Sequence, residues 1–221
     1  MVAEIKFCGM TRAEDARLAG ELGASYVGVI FAPSPRRRTL EQAREILAAA
    51  APPVRAVGVF GEATPDEVAS AADALGLDCV QLHADPDERA VRAVRRVYGG
   101  EVWAALRCAG RTLPESAEAL LGEADAVVLD ARAPGQLGGT GVRLEWAAIA
   151  EELSRFPRRA KLVLAGGLTP DNVAAAAAAM SPDVVDVSSG VESSPGIKDH
   201  ARMRAFADAV RSASLARGVK S

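Results

Sequence analysis

Cysteine, histidine and aromatic side chains are all scarce in this chain. Only three cysteines (Cys8, Cys79, Cys108) are scattered over 221 residues, too few for a disulfide framework. None forms a C-x-x-C pair, and with only His83 and His200 to add, no Cys/His zinc pattern emerges. Long apolar runs are missing too: stretches such as Val173 to Met180 fall far short of the roughly 20 residues of a membrane span. The opening Met-Val-Ala-Glu-Ile-Lys carries charge where a signal peptide needs its apolar stretch. Nor does charge of one sign dominate. Lys and Arg total 26 against 29 Asp and Glu, a net charge of −3, so nothing draws the chain as a whole to nucleic acid or to a membrane. An anionic partner must be held by a local site. These absences lead us to expect a soluble cytoplasmic protein with reduced thiols.

What remains is ordinary globular composition, 49% hydrophobic and 25% charged, which excludes disorder or coiled coil over the whole chain. Short β-branched runs alternate with longer Ala/Glu/Arg/Leu segments of helical spacing. The runs are Glu4–Cys8, Tyr26–Phe31, Val54–Phe60, Asp78–His83, Glu101–Cys108, Ala126–Asp130, Lys161–Ala165 and Val184–Ser188. Their continuous apolar character suits strands covered on both faces, as in a parallel sheet. Several helical segments open with a cap signal: Thr11 (at capping-box spacing from Glu14), Thr64 before Pro-Asp-Glu, and Thr169 before Pro-Asp-Asn. Strand-then-helix alternation permits an open doubly wound sheet or a closed barrel, and eight repeats favour the (β/α)8 TIM barrel. No Pro/Gly/Ser-rich linker interrupts the alternation, so residues 1–221 read as one domain. The long break from Ala131 to Val142 lies where barrel enzymes keep functional loops.

In such a barrel, functional side chains project from the C-terminal strand ends. Those positions hold Cys8, Arg36, His83, Asp130, Gly166, Gly167, Asp186, Ser188, Ser189 and Gly190. Glycines after the seventh and eighth strands let backbone N–H groups approach an anion, and a following helix turn adds a favourable dipole. Tight turning alone explains one such loop, but two after these particular strands point to a phosphate site. Cys8 is either a packed thiol or a mouth-facing functional one; Cys79 and Cys108 are assigned to packing. Asp130 is a cap or a catalytic carboxyl. Gly138-Gly139-Thr140-Gly141 suggests a loop that folds over a ligand. Arg36, Arg37 and Arg38 form a short basic run that reads as solvated surface, unless one guanidinium faces the mouth to bind a carboxylate. His83 is a satisfied polar residue or a substrate contact.

Together these segments resemble the phosphoribosylanthranilate isomerase family of tryptophan biosynthesis. The matching motifs are Lys6-Phe7-Cys8-Gly9-Met10-Thr11, Ser34-Pro35-Arg36, Val57-Gly58-Val59-Phe60, Val80-Gln81-Leu82-His83 and Leu129-Asp130. Gly138-Gly139-Thr140-Gly141, Leu164-Ala165-Gly166-Gly167-Leu168 and Asp186-Val187-Ser188-Ser189-Gly190-Val191-Glu192 follow in order, then Gly196 and Lys198-Asp199. Two departures, Ala84 for the usual Gly and Leu144-Glu145-Trp146 for Phe-Asp-Trp, concern loop detail. The resemblance implies an Amadori rearrangement of a phosphorylated small molecule, with Asp130 as acid, Cys8 as base and Arg36 on the anthranilate carboxylate. It implies no metal or organic cofactor, and a monomer or homodimer. For the reaction, Asp130 must hold a proton and Cys8 must become thiolate near neutral pH. The histidine-pathway isomerase would need an acid where Cys8 stands and a second phosphate site. A phosphate-binding barrel without catalysis does not account for keeping both Cys8 and Asp130. A dinucleotide-binding sheet is excluded by the lack of G-x-G-x-x-G after a strand.

Overall fold

The computed structural model describes residues 3–108, 110–131 and 145–218. Eight parallel strands close into a barrel: β1 (Glu4–Phe7), β2 (Tyr26–Ile30), β3 (Arg55–Phe60), β4 (Cys79–Leu82), β5 (Glu101–Cys108), β6 (Ala126–Ala131), β7 (Lys161–Leu164) and β8 (Val184–Val187). β8 pairs back onto β1 with Lys6 opposite Asp186. The helices α1 (Ala13–Glu21), α2 (Leu40–Ala50), α3 (Pro65–Leu75), α4 (Glu88–Arg95), α5 (Ala117–Glu123), α6 (Trp146–Leu153), α7 (Val173–Met180) and α8 (His200–Gly218) alternate with them. This is the (β/α)8 barrel expected from the sequence, with strand limits within about one residue of the apolar runs. Among the described residues, no helix is long and apolar enough to cross a membrane.

The caps divide. Thr64 accepts from the Glu67 amide while the Glu67 carboxylate accepts from the Thr64 amide, so the expected box starts α3. Thr39 and Gln42 make a second box on α2 that the cap signals had not included. Thr11 does not cap α1: Arg12 holds the N-cap position, and the Thr11 hydroxyl donates to the Gly196 carbonyl. α7 begins at Val173, because Thr169 to Asn172 forms a turn closed by the Thr169 amide on Asn172 Oδ1 (2.8 Å). A tertiary contact and a side-chain turn have each displaced a local signal. Past β8 come a 3₁₀ turn (Ser189–Val191) and an antiparallel pair, β9 (Glu192–Ser194) with β10 (Ile197–Lys198), which the apolar pattern did not announce.

Two apolar layers form the core. The outer one lies between strands and helices. The inner one fills the barrel with Tyr26, Val57, Cys79, Trp103, Ala126, Val128, Val163, Ala165 and Val184. Trp103 and Tyr26 meet edge-on at 4.8 Å between ring centroids. At the N-terminal end of the strands, Glu101 accepts from Trp103 Nε1 (2.8 Å) and Lys161 Nζ (3.0 Å). Cys79 and Cys108 are free, fully buried thiols, in keeping with the packing role expected of both. Burial pushes the Cys108 pKa up to about 12. Because Trp103 is the largest fully buried side chain, Trp103→Ala should destabilise the barrel by about 3–5 kcal/mol. Urea unfolding followed by circular dichroism measures this, and a loss below about 1 kcal/mol would mean the interior is not close-packed there.

Candidate active site

At the C-terminal strand ends a cavity of about 340 Å³ opens over an apolar floor that includes Ile30, Val59, Val128 and Ala165. All the side chains and glycines expected at the site line it: Cys8, Arg36, His83, Asp130, Gly166, Gly167, Asp186, Ser188, Ser189 and Gly190. The barrel therefore brings together residues from six of its strand ends. Gly138-Gly139-Thr140-Gly141 and Leu144 lie outside the described residues.

Cys8 follows β1, and its amide donates to the Val187 carbonyl at 2.9 Å. Gly28 on β2 makes room for the thiol, since a Cβ there would stand 2.9 Å from Sγ. Burial is the largest influence on the thiol and raises its pKa; Lys6 opposes this, Asp186 adds to it, and Lys198 opposes it more weakly. Burial thus works against the thiolate that the reaction requires of Cys8. The main opposing charge, Lys6, is itself fully buried. Its Nζ donates to Asp186 Oδ2 at 2.6 Å and to Gln81 Oε1 at 2.8 Å. Burial by itself would depress the Lys6 pKa, but Asp186 and then Cys8 outweigh it and raise the value.

Gln81 carries the network across the barrel. With its oxygen turned to Lys6, its Nε2 faces His83 Nδ1 at 3.1 Å. An amide N–H there makes Nδ1 the acceptor, so the neutral imidazole carries its proton on Nε2. Nε2 stands 3.4 Å from Asp130 Oδ2. His83 is thus a neighbour of the carboxyl at the end of β6, and Arg107 holds its backbone carbonyl at 2.7 Å.

On the opposite wall, Gly166 and Gly167 adopt φ of +78° and +71°, which glycine reaches without strain. A Cβ on Gly190 would come 1.8 Å from the Leu168 carbonyl oxygen, so the loops after β7 and β8 touch backbone to backbone. α7 starts well beyond Gly167, so only the short 3₁₀ turn from Ser189 supplies a helical start beside these loops. Two buried atoms lining this region, Ser188 Oγ and Asp186 Oδ1, lack a hydrogen-bond partner among the described residues. They are free to meet a ligand.

Arg36 reaches the mouth from the loop after β2. It grips Glu192 side-on, Nε to Oε1 at 2.8 Å and Nη2 to Oε2 at 2.6 Å. Lys198 Nζ donates to the same carboxylate at 2.9 Å, and to the carbonyls of Cys8 (2.6 Å) and Ser188 (3.1 Å). Arg37 is exposed as expected, but Arg38 is partly buried, with its Nε unpartnered among the described residues. Sequence reasoning assigned no role to Lys6, Gln81, Glu192 or Lys198. The available signals were Lys6 and Gln81, polar residues inside apolar strand runs.

The family model for N-(5′-phosphoribosyl)anthranilate (PRA) isomerase matches residues 5–209. The N-(5′-phosphoribosyl)anthranilate isomerase of Pseudomonas fluorescens (strain Pf0-1) is 45% identical over 208 residues, covering 93% of this chain and 97% of that one. This chain belongs to the PRA isomerase family. The phosphoribosyl anthranilate isomerase of Thermotoga maritima superposes with a TM-score of 0.85 at 34% identity, over 95% of this chain and 99% of that one. A PRA isomerase solved with reduced 1-(o-carboxyphenylamino)-1-deoxyribulose 5-phosphate gives a TM-score of 0.82 at 33% identity, over 95% and 99% of the two chains.

For a PRA isomerase, the space around Cys8 should be under tight control. Gly28→Ala should push the thiol aside and lower turnover by about 10–100-fold, the scale of a misplacement near 1 Å. The thermal melt should shift by only a few degrees. Full turnover in Gly28→Ala would show that Cys8 needs no such clearance.

Proposed function

We propose that Cys8 and Asp130 are the base and acid of the reaction that defines the family. The chain converts N-(5′-phosphoribosyl)anthranilate to 1-(2-carboxyphenylamino)-1-deoxy-D-ribulose 5-phosphate, a step of tryptophan biosynthesis. The observation that carries the assignment is that a thiol on β1 and a carboxyl on β6 line one cavity, between paired phosphate-type loops and an arginine. Asp130 gives its proton to the ribose ring oxygen as the C1′–O bond breaks, and the nitrogen lone pair forms the iminium. Cys8 as thiolate takes the C2′ proton, and the C–H electrons move into a C1′–C2′ double bond, giving an enolamine. Tautomerisation then yields the ketone. The iminium brings positive charge toward the sulfur, which favours the thiolate that burial alone opposes. The His83 Nε2–H then faces the carboxylate left on Asp130.

Gly166, Gly167, Ser188, Ser189 and Gly190 take the phosphate in this reading, and Asp186 Oδ1 takes a sugar hydroxyl. Arg36 meets the anthranilate carboxylate. The chain acts as a monomer or homodimer in the cytoplasm, without metal or organic cofactor.

Turnover is followed by the loss of anthranilate fluorescence from enzymatically generated substrate. Cys8→Ala and Asp130→Asn should each lower kcat by about 10²–10⁴-fold while product affinity stays within a few-fold. The wild-type kcat/KM should fall on both sides of an optimum. Wild-type turnover in either variant removes that residue from its role.

The carboxylate contact has its own test. A charge-assisted contact contributes about 1.5–3 kcal/mol, roughly 10–150-fold in affinity. Arg36→Ala should weaken the anthranilate-bearing product by that factor and leave an aniline analogue nearly unaffected, as titration calorimetry can show. Equal weakening of both ligands would mean that Arg36 does not read the carboxylate.

A further inference from the structure

Glu192 and Lys198 are buried beside Arg36, and neither has a part in the reaction above. The Glu192 side chain is 4% exposed, yet it takes two N–H groups from Arg36 and one from Lys198. Burial by itself would raise its pKa, but Arg36 and Lys198 prevail and hold it below the ordinary carboxylate value. Burial lowers the Lys198 pKa, with Glu192 and then Cys8 opposing it in part. Arg36 and Lys198 both donate to this one carboxylate.

The donors that Arg36 has left have a definite direction. A guanidinium carries five N–H donors in one plane. Glu192 occupies the Nε side and one donor of Nη2. Among the described residues no hydrogen bond leaves Nη1, so the Nη1/Nη2 end is the face still open at the cavity. The stem is also held: Gly9 lets it cross close to the backbone, since a Cβ there would lie 2.6 Å from Arg36 Cδ. An arginine fixed in this way loses little side-chain freedom on binding, whereas an untethered one must be ordered by the ligand.

We propose that Glu192 is a specificity-positioning residue: by holding Arg36 side-on, it turns the Nη1/Nη2 end toward the cavity as a preformed receptor for a planar carboxylate. This rests on the reading of Arg36 as the anthranilate contact. Lys198 keeps Glu192 charged in its buried site, and its bonds to the Cys8 and Ser188 carbonyls tie the receptor to the base and to the phosphate loop.

Titration calorimetry with two ligands, the reduced product and its aniline counterpart, tests the proposal in Glu192→Gln, Arg36→Ala and the double variant. Glu192→Gln should weaken the carboxylate ligand by about 10-fold and the aniline ligand by less than about twofold. The double variant should bind the carboxylate ligand no worse than Arg36→Ala alone, because Glu192 acts through Arg36. In turnover, the loss should appear in KM more than in kcat. Equal weakening of both ligands by Glu192→Gln, or additive losses in the double variant, would overturn the positioning role. If Arg36→Ala itself treats both ligands alike, the underlying carboxylate reading fails, and that result is separate from the first two. Should Glu192→Gln not fold, Glu192→Asp keeps the charge but withdraws it by one methylene. The same ligand-selective loss is expected there, and an unselective loss overturns the proposal.

Discussion

The ion pair between Lys6 and Asp186 is the constraint on which the interior of this barrel depends. Stripping water from two such ions costs several kcal/mol each, so the pair persists only with close geometry and further hydrogen bonds. Both conditions are met: the contact is 2.6 Å and Gln81 accepts a second ammonium proton. Lys6 and Asp186 are register partners where β8 meets β1, so the ion pair and the closing ladder specify one another. A slip of either strand by one residue would turn its charge out of the barrel and leave the other buried without its partner. Below them lie Trp103 and Tyr26, with the ammonium 5.7 Å from the Trp103 ring centre. Above them lies the cavity. The pair thus caps the apolar plug, and Asp186 also lines the cavity above it.

Its influence spreads through Gln81. An amide whose oxygen is committed to Lys6 has one way to face His83, and this selects the imidazole tautomer beside Asp130. The Cys8 and Asp130 sides of the cavity are linked by hydrogen bonds and one longer contact, although the two residues stand at the ends of β1 and β6. Burial also bears on side chemistry: oxidation and alkylation follow thiolate character, and a thiol whose pKa burial raises is a poorer target for both.

Much of this was legible in the sequence, for a physical reason. Strands covered on both faces read as unbroken apolar runs, so β1 to β8 stood out within about one residue, and the strand ends then named the lining of the cavity. Cap signals were less dependable. Thr64 faces solvent and obeys its local pattern, whereas the Thr11 hydroxyl is captured by Gly196, a residue distant in the chain. The largest gap was in charge. A lysine or glutamate in a linear sequence reads as solvated surface, and nothing local marks Glu192 and Lys198 as buried, while Lys6 is marked only by its place inside the β1 run. Their burial depends on partners far along the chain, Asp186 for Lys6 and Arg36 for Glu192. Such pairings become visible only when the barrel closes.

The seam between β1 and β8 also governs the order in which the molecule can form. Lys6 and Asp186 are separated by 180 positions, so their contact is among the most non-local in the chain, and non-local pairings form slowly. Until β8 has docked, the outer edges of β1 and β7 remain open, with backbone donors and acceptors that invite pairing with other chains. During synthesis this exposure lasts until the last strand emerges. The same late event delivers Ser188, Glu192 and Lys198, so binding competence and protection from misassembly are acquired in one step.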